Sequence, residues 1–269
     1  MKFTDKGVPV LRDSEIEEAA YRLLRKVEPD CVENPVKVPI PSIIKYLQDN
    51  HGLLFSISDD LGTINGRKIR GKTILNKGII LLDSSIVTND ESLYFMTAAH
   101  EIGHWTFHRS RRITKEDDEV IDTFEDEEYS FYDRDEMISV RRKKELKTSL
   151  DFLEHHAKIF AANLLMPRKA FIKAVQAIQI QLGISRNLGQ VYLYDDPIQN
   201  EDYRCTVTLL HGHFKTPKQA INIRFKELGL FNDLRGTHKK QNKEAIREES
   251  LRRALEELYS TRPLDTNRV

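Results

Sequence analysis

Residues 90–108 restrict the fold of this chain more than any other stretch. Leu93, Phe95, Met96, Ala98, Ala99, Ile102, Trp105 and Phe107 place apolar side chains on nearly every side of a helix. A helix that is apolar all round is a buried one. Within it, "AAHEIGHWTFH" (98–108) sets His100, His104 and His108 four residues apart, with Glu101 beside the first. Buried imidazoles and a buried carboxylate are costly without partners, so these groups need a chemical use or polar neighbours. The preceding "TNDE" (88–91) reads as a capping box, with Thr88 accepting from the helix amides and Glu91 reaching back. Asp90 and Glu91 also suit the positive end of the helix dipole. Gly103 costs roughly 1 kcal/mol of helix propensity and is read as permitting close packing of a neighbouring backbone.

The spacing has a chemical meaning. Residues i and i+4 of a helix lie about 40° apart and about 6 Å along the axis. His100 and His104 therefore point the same way from consecutive turns, as two ligands of one metal ion must. Glu101 lies about 100° round from His100, off the metal but within reach of a water beside it. H-E-x-x-H is thus two zinc ligands and a general base on one helix. With 9 histidines in 269 residues, about 0.03 accidental matches are expected, so chance alignment is the weaker reading. His108 shares the ligand face one turn further on, about 6 Å beyond His104, and is read as packing or as a hydrogen-bond support for a ligand.

A catalytic zinc takes three protein ligands and keeps one position open. The solution with a third histidine nearby, H-E-x-x-H-x-x-G-x-x-H, is absent, because Phe107 and Ser110 occupy its glycine and histidine positions. A second helix, predicted over 149–166 and redirected by Pro167, offers an acid instead. In "DFLEHHAKIFAANLLMP" (151–167), Leu153, Ala157, Phe160, Ala161 and Leu164 form the apolar stripe, and Glu154 joins it through Ala157 and Ala161 at i+3 and i+7. Small alanines there allow the two helices to approach closely. Glu154 is the candidate third ligand; the bland alternative places it at the solvent edge of the stripe. His155 and His156 are rivals, read as pointing away from the alanine face.

"AAHEIGHWTFH" followed by "E-x-x-A-x-x-F-A-A-x-L-L-M-P" resembles the ImmA/IrrE-type metallopeptidases, zinc proteases of bacteria, phages and mobile elements that cleave a DNA-binding repressor. The resemblance implies His100 and His104 as zinc ligands, Glu101 as base and Glu154 as third ligand. It extends more loosely through "GIILLD" (78–83) and down to "FKTPKQAINIRFKELGLF", similar to the helix-turn-helix-like element that follows the catalytic core, and covers about residues 35–231. Lys158 departs from the asparagine usual in the second motif. The fold so implied is α+β: a mainly helical zincin-like core, a small N-terminal sheet packed on the active-site helix, and the helix-turn-helix-like element. The function implied is a zinc-dependent endopeptidase that cleaves a helix-turn-helix repressor, with one Zn2+ per chain and Mn2+ as the alternative ion. His211, His213, Tyr192 and Tyr194 have the chemistry to steady an oxyanion, each with a structural reading beside it. The competing function is a non-proteolytic interaction or toxin–antitoxin-like module that retains a metal site.

Elsewhere, "SEIEEAAYRLLRKV" (14–27) reads as an amphipathic helix capped by Ser14, and residues 41–50 as a helix ended by Gly52. Residues 53–58 and 78–83 read as strands, with Gly62, Gly66 and Gly71 marking a hairpin region between them. After Pro167 a helix runs to about 182, closed by Gly183; residues 187–202 are loop or strand, and 206–229 two short helices. The domains expected are 1–203 for the metallopeptidase, containing a charged insertion at 109–148, then 204–231 for the helix-turn-helix-like element and 232–269 for a charged helical tail. Lysine plus arginine (42) balances aspartate plus glutamate (42), so the overall field steers neither nucleic acid nor membrane. Lys215, Lys218, Arg224 and Lys226 are read as exposed but too sparse to favour direct DNA binding. Cys31 and Cys205 make no disulfide framework, no leader is evident, and "GIILL" is far short of the roughly 20 apolar residues of a membrane span. The expectation is a cytoplasmic protein with no membrane partner.

Overall fold

The computed structural model describes residues 2–4, 8–64, 67–108 and 148–236. Nearly all of the expected insertion (109–147) and most of the tail (237–269) lie outside the described residues. The described chain is mixed α+β, mostly helical with small sheets.

A short strand pair, β1 (Lys2–Phe3) and β2 (Pro9–Val10), precedes helix α1 (Asp13–Val27) and the single turn α2 (Asp30–Glu33). The predicted cap of α1 is wrong: Arg12 sits at the N-cap and Glu15 reaches back to its backbone N–H at 2.9 Å, so Ser14 is already helical. Helix α3 (Ile40–His51) begins beside Pro39 and Pro41 and ends where Gly52 turns left-handed at φ 73°, the conformation that glycine adopts without steric cost. Strand β3 (Leu54–Ser58) follows, then the small pair β4 (Thr63–Ile64) and β5 (Arg67–Lys68), then β6 (Gly71–Ile74) and β7 (Ile79–Asp83). β7 is the centre of a three-stranded sheet, parallel to β3 (Leu54↔Ile79) and antiparallel to β6 (Gly71↔Leu82). Side chains alternate along a strand, so Ile80 and Leu82 of β7, and Gly71 and Thr73 of β6, are buried together.

That buried face lies on α5 (Glu91–His108). The predicted Thr88 capping box is not formed. Thr88 belongs to a separate short helix, α4 (Ser84–Asn89), and its hydroxyl donates back to the Ser84 carbonyl at 3.2 Å. Asp90 caps α5 instead, its carboxylate accepting from the Ser92 and Leu93 amides at 2.9 and 3.0 Å. Helix α6 (Ser149–Leu165) is capped by a reciprocal pair, Thr148 Oγ1 accepting from the Asp151 amide and Asp151 from the Thr148 amide. It packs against α5, and the two backbones approach closely at Gly103. A Cβ there would sit 2.9 Å from Ala157 Cα and 3.2 Å from its carbonyl oxygen, so the reading of Gly103 as a close-packing residue holds. On its other side α6 meets α1, whose Ile16, Ala20 and Leu24 are fully buried. Removing a side chain such as Ile16 or Leu24 from water contributes about 1.5–3 kcal/mol.

The remaining helices are α7 (Arg168–Gln181), α8 (Glu201–Phe214) and α9 (Lys218–Glu227), with β8 (Val191–Leu193) parallel to β9 (Phe231–Asp233). α9 is tied to the end of α6 by Arg224, which is only 3% exposed. Its guanidinium donates to the Met166 carbonyl (3.0 Å) and to Asn163 Oδ1 (2.8 Å), and pairs with Glu227 (3.1 Å). This overturns the expectation that Arg224 is exposed. Lys215, Lys218 and Lys226 are half-buried rather than exposed; Lys215 pairs with Glu91 at 3.2 Å and Lys226 lies over the Phe231 ring. Cys31 and Cys205 are both free thiols. Among the described residues no helix is long and apolar enough to cross a membrane.

Candidate metal centre

Two turns of α5 and one of α6 bring three donor groups together. His100 and His104 are each 1% exposed, and their Nε2 atoms are 3.0 Å apart. Glu154 enters from α6, with Oε1 3.2 Å from His104 Nε2 and Oε2 3.6 Å from His100 Nε2. Among the described residues these three form one group of converging potential metal donors. Zinc ligands about 2.0–2.1 Å from a tetrahedral ion are roughly 3.3 Å from one another. The observed separations of 3.0, 3.2 and 3.6 Å bracket that edge. Two imidazole nitrogens and one carboxylate oxygen, enclosed by helix–helix packing, are also the donor types a catalytic zinc takes. The residues therefore fit the ion.

The electrostatics agree with a site whose ligands compete for protons. Burial pushes His100 down to about 3, against the pull of the Glu154 charge. Burial also opposes a charge on His104, but the hydrogen bond and charge of Glu154, helped by Glu101, raise it above its ordinary value. Burial alone would raise Glu154; the hydrogen bond from His104 and the charges of His100, His104 and Lys158 hold it down at about 2. Lys158 Nζ lies 4.0 Å from Glu154 Oε2, so it places a cation beside the donor group.

Glu101 is 1% exposed and faces β6. Thr73 Oγ1 donates to its Oε2 at 2.6 Å and also lies 3.2 Å from its backbone oxygen. Gly71, two residues earlier on the same strand face, makes room: a Cβ there would fall 2.6 Å from Thr97 Cγ2 and 3.0 Å from both Cγ and Oε1 of Glu101. The strand thus fixes the carboxylate from the side away from α6. Sequence reasoning missed Thr73. Its only signal is its place two residues from Gly71 on a strand that alternates inward, and nothing local links it to a helix 28 residues away.

His108 does not join the donor group. Its Nδ1 is 3.3 Å from Nδ1 of His104, and its Nε2 is 3.3 Å from Nδ1 of His156. The sequence reading of His156 is corrected: it is fully buried and lies between α5 and α6, not away from the alanine face. Its position at i+3 from Leu153 and i−4 from Phe160 places it in the same stripe, a signal present in the sequence but passed over. Burial pushes His156 down to about 4. His155 points elsewhere, with Nε2 2.7 Å from Asp13 Oδ1 on α1.

The four oxyanion candidates are occupied away from the donor group. His211 Nδ1 is 2.8 Å from the Thr216 carbonyl and His213 packs edge-on against Phe214. Tyr192 donates to Gln190 Oε1 at 3.2 Å and stacks on Tyr194. The structure brings none of the four into hydrogen-bond contact with His100, His104 or Glu154 among the interactions it shows.

No protein-family model matches the chain. No curated protein matches it either. Among solved structures it is similar to a Mycobacterium tuberculosis transcriptional regulator, with a TM-score of 0.43 and 12% identity over 78% of this chain and 46% of that one. The chain therefore spans less than half the length of that protein.

Proposed function

We propose that this chain is a zinc-dependent endopeptidase with a zincin-like core, acting on a DNA-binding repressor. The observation that carries the proposal is the pairing of a three-donor group with a carboxylate held beside it. His100, His104 and Glu154 supply the ligands, and Glu101, braced by Thr73, is kept off the ligand set on the adjacent helix face. A purely structural zinc has no use for such a base. The sheet lying on α5 and the crossing of α6 over it support the zincin-like reading of the core. The repressor substrate rests on the resemblance of "AAHEIGHWTFH" and the Glu154 motif to repressor-cleaving peptidases.

His100, His104 and Glu154 would hold a zinc ion with their donor atoms turned to a common point, and that ion would supply the Lewis acidity that acidifies a water and polarises the scissile carbonyl. Glu101 accepts the proton as the water attacks and returns it to the departing amine. Thr73 orients the Glu101 carboxylate throughout, because its hydroxyl has the Oε2 atom as its nearest acceptor. Residues 1–203 form the peptidase domain in this reading, 204–231 the helix-turn-helix-like element and 232–269 a charged tail. The burial of Arg224 and the pairing of Lys215 leave that element little basic surface, so it serves packing or substrate docking rather than DNA binding.

The test is incubation of the zinc-loaded protein with candidate helix-turn-helix repressors from the same source. Cleavage is expected from the wild type. Glu101→Gln is expected to keep its zinc and lose roughly 10^2–10^4 of the rate. Full cleavage by that variant rejects the mechanism. Stoichiometric zinc with no cleavage of any candidate repressor favours a non-proteolytic interaction module.

A further inference from the structure

We infer that His108 and His156 form a two-ring brace that locks His104 in the tautomer required for metal binding, so that both are positioning residues for the site. The inference rests on the metal-binding part of the preceding reading and not on peptidase activity.

Glu154 and the Nε2 atom of His100 both face Nε2 of His104, so that nitrogen is the one offered to a metal and must present its lone pair. In a neutral imidazole the proton then sits on Nδ1. The Nδ1 atom of His104 faces Nδ1 of His108 at 3.3 Å. His104 Nδ1–H therefore donates, and His108 Nδ1 accepts with its lone pair. That assignment puts the His108 proton on Nε2, which faces Nδ1 of His156 at 3.3 Å. His156 accepts in turn and carries its own proton on Nε2. One choice at the metal end sets all three rings.

The chain ends there. His156 Nε2 is buried and has no hydrogen-bond partner among the described residues, so among these three rings the direction of the chain is set from the metal end. Packing holds the rings in place. His108 and His156 are 1% and 0% exposed, their planes are inclined by 25°, and Phe107 lies against His156 with centroids 5.9 Å apart. Metal-ligating histidines are commonly steadied by a carboxylate or a carbonyl on the far nitrogen. Here a second imidazole takes that place, and a third supports the second.

The experiment measures zinc affinity by competition with a chromophoric chelator, using the full-length protein. His108→Phe keeps a ring but removes the acceptor, and about 10–100-fold weaker zinc binding is expected. His108→Asn restores an acceptor close to the position of Nδ1 and should recover most of that loss. His156→Phe should give a smaller loss, recovered by His156→Asn. A His108→Phe variant within two-fold of wild type overturns the brace, as does a folded His108→Asn variant no better than His108→Phe. Circular dichroism of the metal-free proteins identifies any variant that fails to fold. Side-chain nitrogen NMR of the zinc-loaded wild type provides the second measurement. The brace requires Nε2–H on both His108 and His156, and a proton on Nδ1 of either ring overturns it. A wild type that binds no zinc removes the metal site and the brace together, whereas normal wild-type binding with an unaffected His108→Phe removes the brace alone.

Discussion

Two regions bury polar side chains between helices, and they bury them differently. At the α8–α9 end, Arg224 is enclosed by a carbonyl, an amide oxygen and a carboxylate, each within 3.1 Å. Every acceptor faces a donor, and the guanidinium serves to join α9 to the end of α6. Between α5 and α6, three groups that would all accept metal turn their donor atoms towards one another at 3.0–3.6 Å. His104 and Glu154 can share a proton, but three acceptor-type groups meeting at one point are not mutually complementary as the partners of Arg224 are. The comparison separates a buried cation that holds a fold from buried ligands arranged for something else: what matters is whether the neighbours are complementary or alike.

Substitutions at the two regions should therefore fail in different ways. Arg224→Met leaves the Met166 carbonyl and Asn163 without their donor. It should cost about 3 kcal/mol of stability, read from the denaturant midpoint, while the remaining folded protein binds zinc normally. If zinc affinity falls with stability, the two regions are one unit and the distinction fails. Thr73→Val removes the hydroxyl that orients Glu101. It should slow cleavage roughly 10-fold, as expected for losing a hydrogen bond of about 1.5 kcal/mol to a charged group, with zinc content unchanged. Loss of zinc in that variant would mean that Thr73 supports the ligands and not the base.

A separate effect concerns pH in the chelated protein. Burial places His100 at about 3 and His156 at about 4, below the unfolded value of about 6.5. The unfolded chain takes up these protons first as pH falls. Their contribution is therefore intact above pH ~6.5 and declines towards acid, each with a slope of up to ~1.4 kcal/mol per pH unit. His104, raised above its ordinary value, acts oppositely: its contribution is complete below ~6.5 and lost as pH rises through the folded value. Denaturant midpoints measured from pH 6.5 down to 4.5 should fall steadily. A flat profile would mean that the two lowered imidazoles are not buried as neutral groups.

The convergence of His100, His104 and Glu154 was legible in the sequence because helical periodicity turns spacing into direction. His100, His104 and Glu101 follow from one helix, and Glu154 from its place beside Ala157 and Ala161 on another. Gly103 was legible for a related reason, since a helix-breaking residue in an apolar helix marks a close approach. Thr73 was not, because a strand side chain meets a helix only through the tertiary fold. Arg224 was misread because a buried arginine and an exposed one look alike in a one-dimensional pattern. His156 stands at i+3 and i−4 to buried apolar residues, but a histidine in such a pattern reads as polar until the facing helix shows that it is enclosed. The caps at Ser14 and Thr88 lie two residues from the observed ones because several nearby polar side chains could serve and the backbone chose Arg12 and Asp90.

Zinc titration of wild type beside Glu154→Ala addresses the central claim most directly, because that carboxylate is the only donor contributed by the second helix. The account predicts one ion per wild-type chain and a collapse of affinity in Glu154→Ala comparable with that in His104→Ala. Wild-type affinity in the Glu154→Ala protein, or a wild type that takes up no zinc, would contradict it.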